Sequence, residues 1–354
     1  LRRLRLEAWL ATEVTMPTKP VMIPRPGATA QPARWQTALA TAVRDPLELL
    51  RRLRLDARDF PEILRADQGF RTRVPESYLE RIQPENPRDP LLLQVLPKGA
   101  ELLAQPGFGT DPVGDRAAMA APGLLHKYHG RALLVTTGAC AIHCRYCFRR
   151  EFPYAAFSTP GHWDPALEYL RAHTEIRELI LSGGDPLTLP DSRLRKLVRS
   201  LEQIPHLQRL RIHTRLPVVL PERIDDEFMS WIGKGRLEHV VVLHANHPRE
   251  FAGTAEQAVT RLRASGVTLL NQSVLLAGVN DDVDTLCNLQ EAGFRIGVLP
   301  YYLHLLDRTR GTGHFEVPEQ RAQEIHAALR ARLPGYLVPR LVREHPGAPG
   351  KTPA

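Results

Sequence analysis

The sequence predicts an α/β fold built on a parallel sheet, and three observations carry that expectation. Six short runs rich in β-branched residues and leucine recur at a spacing of about 30 residues from Ala132 onward. Amphipathic segments separate these runs, and each run ends in a cluster of polar residues.

Taken in order, residues 1–21 open with LRRLRLEAWL, which is basic and apolar, with charges interrupting every candidate apolar core. This stretch reads as an extension or a translation artefact, with Met16 or Met22 as alternative starts, and it nearly recurs as LRRLRLDA from Leu50. Residues 22–127 are expected to form a helical region. DPLELLRRLRL, VPESYLERI and NPRDPLLLQVL space their apolar residues as helices do, between turns rich in Pro and Asp.

Residues 128–315 hold the repeating units. The strand candidates are ALLVTTGA from Ala132, ELILSGG from Glu178, RLRIHTR from Arg209, HVVVLHAN from His239, VTLLNQSVLL from Val267 and FRIGVLPYYLHL from Phe294. DSRLRKLVRSLEQI and TAEQAVTRLRASG read as intervening helices, the second stopped by Gly266. Residues 316–354 comprise a helix, PEQRAQEIHAALRARL, and a Pro/Gly-rich tail of a kind that ordinarily frays.

A parallel sheet can stay open and doubly wound or curl into a partial barrel. The polar clusters favour the barrel: the cysteine loop, SGGD, HTR, HANH, NQS and HLLD follow or end the six strands in turn. In a barrel those strand ends share one rim, so a single catalytic mouth accounts for all six.

Composition narrows the function classes. The chain has 354 residues, 43% hydrophobic and 24% charged, as ordinary globular proteins do. The net charge of +8 comes from scattered arginines, with only six lysines among 47 basic residues, so compositional bias explains it better than a nucleic-acid patch. No run of ~18 apolar residues occurs, and no membrane span is expected. Four cysteines, three of them clustered, point to metal binding in a reducing compartment, with the cytoplasm as the expected location.

Three of those cysteines, Cys140, Cys144 and Cys147, fall within eight residues. Three thiolates are one short of a structural zinc site. Cys287 lies in a predicted helix and reads as a buried apolar residue, and local geometry disfavours His143 as the fourth ligand. A cubane iron–sulfur cluster held by three cysteines instead leaves one iron open to a ligand. In LSGGDP, Leu181 to Pro186, glycines allow close approach and Asp185 can accept from an ammonium, although the motif alone is an ordinary strand-to-helix turn. Lys351, in PGAPGK, carries an amine able to form a Schiff base with pyridoxal phosphate (PLP), although a lone tail lysine is ordinarily a solvated charge.

CxxxCxxC after the first strand of a βα repeat is the hallmark of the radical S-adenosylmethionine (SAM) enzymes, and from about Asp45 to Pro353 the chain resembles the lysine 2,3-aminomutase family among them. The matching strings include DPLLLQVLP, GFGTDPVGD, PGLLHKYHGRALLV, CRYCFRREFPY, SGGDPL, RLRIHTRLPVVLP, VTLLNQSVLL, PYYLHLLD and PGYLVP. The resemblance is greater to the shorter branch, which makes (R)-β-lysine for modification of elongation factor P. It implies a radical SAM partial (β/α)6 TIM-like barrel, with an N-terminal helical region and a C-terminal PLP-binding tail.

The resemblance also assigns roles. Cys140, Cys144 and Cys147 are implied ligands of a 4Fe-4S cluster, and Ser182, Gly183, Gly184 and Asp185 an implied SAM site in which Asp replaces the Glu of a "GGE" element. Lys351 is the implied Schiff-base lysine, with Tyr128 and Arg131 near PLP. Arg149 falls where the family grips the substrate carboxylate, and Asp307 and Glu344 where it meets the distal ammonium of lysine. Long-form relatives have Asp at the position of Glu344. They also continue past the PLP lysine into zinc-binding cysteines, whereas Asp282 stands where another zinc cysteine would be, so zinc does not carry over.

The implied reaction is radical migration of the amino group of L-lysine from C2 to C3. Its implied partners are a reducing electron donor, elongation factor P and its lysine ligase; a homodimer is compatible with it, and neither membrane nor nucleic acid is expected. Two rival readings stand beside it: a long-form-like aminomutase supplying free β-amino acid, and a non-catalytic metal- or RNA-binding module.

Overall fold

The computed structural model describes residues 33–154 and 163–354. The expected extension at residues 1–21 lies outside the described residues. The ten strands run in sequence order through a single sheet: β1 (Met119–Ala121), β2 (Leu124–Tyr128), β3 (Arg131–Thr137), β4 (Glu178–Gly183), β5 (Arg209–Thr214), β6 (Glu238–His244), β7 (Thr268–Val274), β8 (Leu299–His304), β9 (Arg340–Arg343) and β10 (Thr352–Pro353).

The six expected strands are β3 to β8, and every neighbouring pair among them is parallel. Their connections carry helices such as Asp191–Glu202, which buries Leu194, Leu197 and Leu201 at helical spacing. Gly266 does take a left-handed φ of 79° just after the helix Thr254–Arg263. The sixth strand starts later than its apolar run suggests. Phe294 and Arg295 close the helix Val283–Arg295, and Gly297, at φ 86°, turns the chain into β8. An apolar run that spans a helix end and a strand start has no break in periodicity to mark the boundary.

The sheet extends beyond those six strands on both sides. β1 and β2 form an antiparallel hairpin that pairs with β3, so the helical character of the N-terminal region ends before residue 119. On the other side β9 runs parallel to β8, and β10 folds back antiparallel on β9. The Pro/Gly-rich tail is thereby tied into the sheet, because Thr352 and Pro353 pair with Arg343 and Val342.

Curvature follows from one contact between the two edges. Lys127 in β2 donates from Nζ to Oε1 of Glu344, the residue after β9, at 2.9 Å. In a flat sheet strands seven positions apart would stand about 33 Å from each other. The sheet therefore curls until its edges meet, as a barrel does and an open doubly wound sheet does not.

Ahead of the sheet lie short helices whose starts the sequence marks well. Asp45 caps Pro46–Arg52 through the Leu47 N–H, and Asp89 caps Pro90–Leu93 through the Leu91 N–H. Among the described residues no helix is long and apolar enough to cross a membrane.

Candidate active site

A cavity of about 250 Å³ opens at the C-terminal ends of the strands, and every expected polar cluster contributes to its wall. Cys140, Cys144 and Cys147 line it, as do Ser182 to Asp185, His213 to Arg215, His244 and Asn246, Gln272 and Ser273, and His304 and Asp307. The seam adds Lys127, Tyr128, Arg131, Glu344 and Lys351. All thirteen site residues that the sequence proposes border this one cavity.

The cysteine loop is clamped from below by the N-terminal helices. Arg145 is wholly buried and donates to Glu101 and to the Phe70 carbonyl, while Arg73 donates to the Cys140 carbonyl at 2.8 Å. His143 turns outward: Nδ1 lies 2.6 Å from the Arg71 carbonyl oxygen and the ring stacks on Phe70. It does not border the cavity. Cys287 is buried in the helix Val283–Arg295, away from the loop, and Asp282 caps that helix by accepting from the Thr285 N–H.

Burial pushes the thiols of Cys140 and Cys147 up, Cys147 to about 11, and the neighbouring cysteines add to the effect. Such thiols ionise when a metal takes their proton's place. Three sulfurs on the wall of one cavity suit a cluster three of whose irons each take one thiolate.

The glycines of SGGD serve the loop before any ligand. A Cβ on Gly184 would overlap the Ala139 carbonyl, and Gly183 adopts φ 128° with the Thr137 carbonyl packed against its Cα. Gly184 and Asp185 donate their N–H groups to Thr137 and Ala139, each at 2.7 Å. Asp185, read from the sequence as an ammonium acceptor, has both oxygens engaged: Thr214 Oγ1 at 2.8 and 3.0 Å, the Arg215 N–H at 2.7 Å and the Leu187 N–H at 3.0 Å. Burial still raises its carboxyl to about 6.

An alternating chain of charges runs across the seam. Arg149 donates from Nε to Asp115 at 2.8 Å and from Nη1 to Ser182 Oγ at 3.0 Å. Lys127 lies 2.6 Å from the other oxygen of Asp115 and 2.9 Å from Glu344. Lys351 donates to the second oxygen of Glu344 at 2.7 Å and sits over the Tyr302 ring. Burial alone would raise Glu344, but Lys351 and Lys127 together hold it down at about 2. Asp307 makes no hydrogen bond through its carboxylate among the described residues, and burial pushes it up to about 7 against the pull of Lys351.

Tyr128 and Arg131 face each other across a tight hairpin turn, the guanidinium 4.6 Å from the ring centre, with Gly130 at φ 75°. Nearby, His213 has its Nε2 buried without a partner, an orphan polar atom on the cavity wall that suits a ligand bringing its own polar groups.

Sequence reasoning passed over Asp115, Lys127 and Arg215. Lys127 is one of only six lysines in an arginine-rich chain. The same rarity that drew attention to Lys351 marks it too. Arg215 closes the HTR cluster at the end of β5. Asp115 lies in a loop and ends the matching string GFGTDPVGD, which was the signal that could have found it, although nothing local gives it a role.

The Radical SAM superfamily description matches residues 134–289, from the middle of β3 to the helix before β8. A protein of Haemophilus influenzae named L-lysine 2,3-aminomutase is 47% identical over 94% of this chain and 98% of its own length. The Escherichia coli protein of the same name is 50% identical over 90% of this chain and 94% of its own. The chain belongs to the lysine 2,3-aminomutase family of radical SAM enzymes. A third protein so named, from Clostridium subterminale, is 36% identical over 90% of this chain and 77% of its own length. Membership makes the chain an isomerase and implies a 4Fe-4S cluster and SAM, which the three cavity-facing cysteines fit.

Proposed function

We propose that this chain is a PLP-dependent L-lysine 2,3-aminomutase that forms (R)-β-lysine, and that the product serves β-lysylation of elongation factor P. The observation that carries the reading is the polarity of the cavity. It holds a buried guanidinium, Arg149, together with two acids, Asp307 and Glu344, and an amine, Lys351. A substrate with a carboxylate at one end and a cation at the other matches that set; a diacid does not.

In this reading Cys140, Cys144 and Cys147 hold the cluster, the strand end at residues 182–185 borders SAM, and Lys351, Tyr128 and Arg131 hold PLP. Those cofactors supply the radical and the electron-accepting π-system for nitrogen migration. The protein's own residues bind and orient. Asp115 and Ser182 fix the Arg149 fork by engaging Nε and Nη1, which leaves Nη2 for a carboxylate. Asp307 presents a carboxylate without an internal partner to the distal ammonium. Glu344 holds the Lys351 amine until PLP takes it, and then becomes available to the same ammonium.

Support for the elongation factor P role comes from resemblance of the motif strings to the shorter branch, and from a match that spans 98% and 94% of the H. influenzae and E. coli proteins but 77% of the longer C. subterminale protein. The test is anaerobic reconstitution with iron, sulfide, PLP and SAM, reduction in the presence of L-lysine, and chiral analysis of the product. (R)-β-lysine is expected; product from a different amino acid and none from lysine overturns the substrate. Transfer of the purified product to elongation factor P by its lysine ligase, in preference to L-lysine, tests the pathway.

A further inference from the structure

We infer that Arg215 sets the reduction potential of the iron–sulfur cluster through its contact with Cys144, acting as a positioning residue for radical generation. Its Nη1 donates to the Cys144 sulfur at 2.6 Å. Nη2 donates to Gln94 Oε1 at 2.7 Å and to Glu250. The flat guanidinium lies between the rings of Tyr78 and Tyr146, 5.6 Å from each centre. The backbone N–H of Arg215 is fixed by Asp185, so the SGGD turn anchors its base. Five contacts leave this side chain no room to swing away from the sulfur.

The charge arrangement gives the contact its direction. Glu250 accepts from the N–H groups of Asn246 at 2.6 Å and His247 at 3.0 Å, so its anion is stabilised independently of Arg215. Of the three cysteines, Cys144 alone accepts a side-chain hydrogen bond among the described residues. Adding one electron to an oxidised cubane increases the negative charge borne by its thiolates. A charged donor in a buried site stabilises that reduced form more than the oxidised one and raises the potential. The step takes one electron from an external low-potential reductant; no bond breaks and no proton moves.

The test uses the full chain, reconstituted anaerobically, with iron and sulfide counted per chain. The midpoint is then measured by dithionite titration followed by electron paramagnetic resonance, without PLP or substrate. Arg215→Met should lower the midpoint by at least about 59 mV, a tenfold loss in the one-electron reduction equilibrium. Arg215→Lys, which keeps the charge, should recover part of the shift. Glu250→Gln, which removes the acid sharing the guanidinium, should raise the midpoint. A merely structural role would change cluster content without moving midpoints in opposite directions. An unchanged midpoint in fully loaded Arg215→Met overturns the assignment. Should that variant fail to hold a cluster, a Glu250→Gln midpoint at or below wild type overturns it. Because neither lysine nor PLP enters the measurement, its outcome is independent of the proposed substrate.

Discussion

Lys351 and Glu344 form a direct ion pair, Nζ to Oε2 at 2.7 Å, and Lys127 reaches the other oxygen of the same carboxylate. The residue proposed to hold PLP thus rests on a residue proposed to hold substrate. Were Lys351 to bind PLP as proposed, its amine would no longer be free to donate as an ammonium to Glu344. Cofactor loading and the freeing of Glu344 for a substrate ammonium would then be coupled through this one contact.

Lys351→Ala should retain a full complement of iron but lose the red-shifted absorbance of protein-bound PLP and its trapping by borohydride. β-Lysine formation should fall roughly 100-fold or more. Wild-type turnover in that variant would remove the assignment.

Lysine binding should weaken as the pH falls through about 7. Burial raises the Asp307 carboxyl to about 7, so below that pH the group is protonated and has no charge to offer an ammonium. Glu344, held at about 2, stays ionised throughout and adds no second transition. KM for L-lysine, followed from pH 8 to pH 6, should rise in wild type. In Asp307→Asn it should be flat and, at pH 8, ~30-fold higher or more.

Gly184→Ala should disable the cluster without unfolding the protein. The added methyl collides with the Ala139 carbonyl, which must shift and carry Cys140 with it. Iron bound per chain after reconstitution should fall below half, with the far-ultraviolet circular dichroism unchanged.

Arg145→Leu should destabilise the fold by about 3–5 kcal/mol, since it strips a buried partner from Glu101 and leaves the Phe70 carbonyl without its donor. Denaturant titration of the cluster-free protein reads this directly. Arg150, also paired with Glu101, limits the loss to the lower end of that range.

Much of the architecture was legible because parallel strands and their helices leave local periodicities. The six strands, the helix caps at Asp45 and Asp89 and the convergence of HTR, HANH and NQS on one rim all follow from residues close together in the chain. What was not legible is non-local. The outer strands β1, β9 and β10 are two to four residues long, too short for an alternation pattern to register. Asp115 has meaning only beside Arg149 and Lys127, which approach it from separate segments. Asp185 carries a structural role that the motif does not announce: it holds Thr214 and Arg215, whose approach only the folded sheet creates.

The seam between β2 and β9 also imposes an order of assembly. The cysteine loop leaves the ribosome roughly 200 residues before Lys351, which at about 5–20 residues per second is an interval of about 10–40 s. For that time the thiols stand in an unclosed half-barrel, open to iron donors and oxidants alike. Once β9 docks on β8 and Glu344 meets Lys127, the same thiols line the wall of the cavity. Cluster delivery is therefore easiest early, while capture of PLP by Lys351, on the proposed reading, has to wait for the tail, so the chain's own synthesis would rank the two events in time.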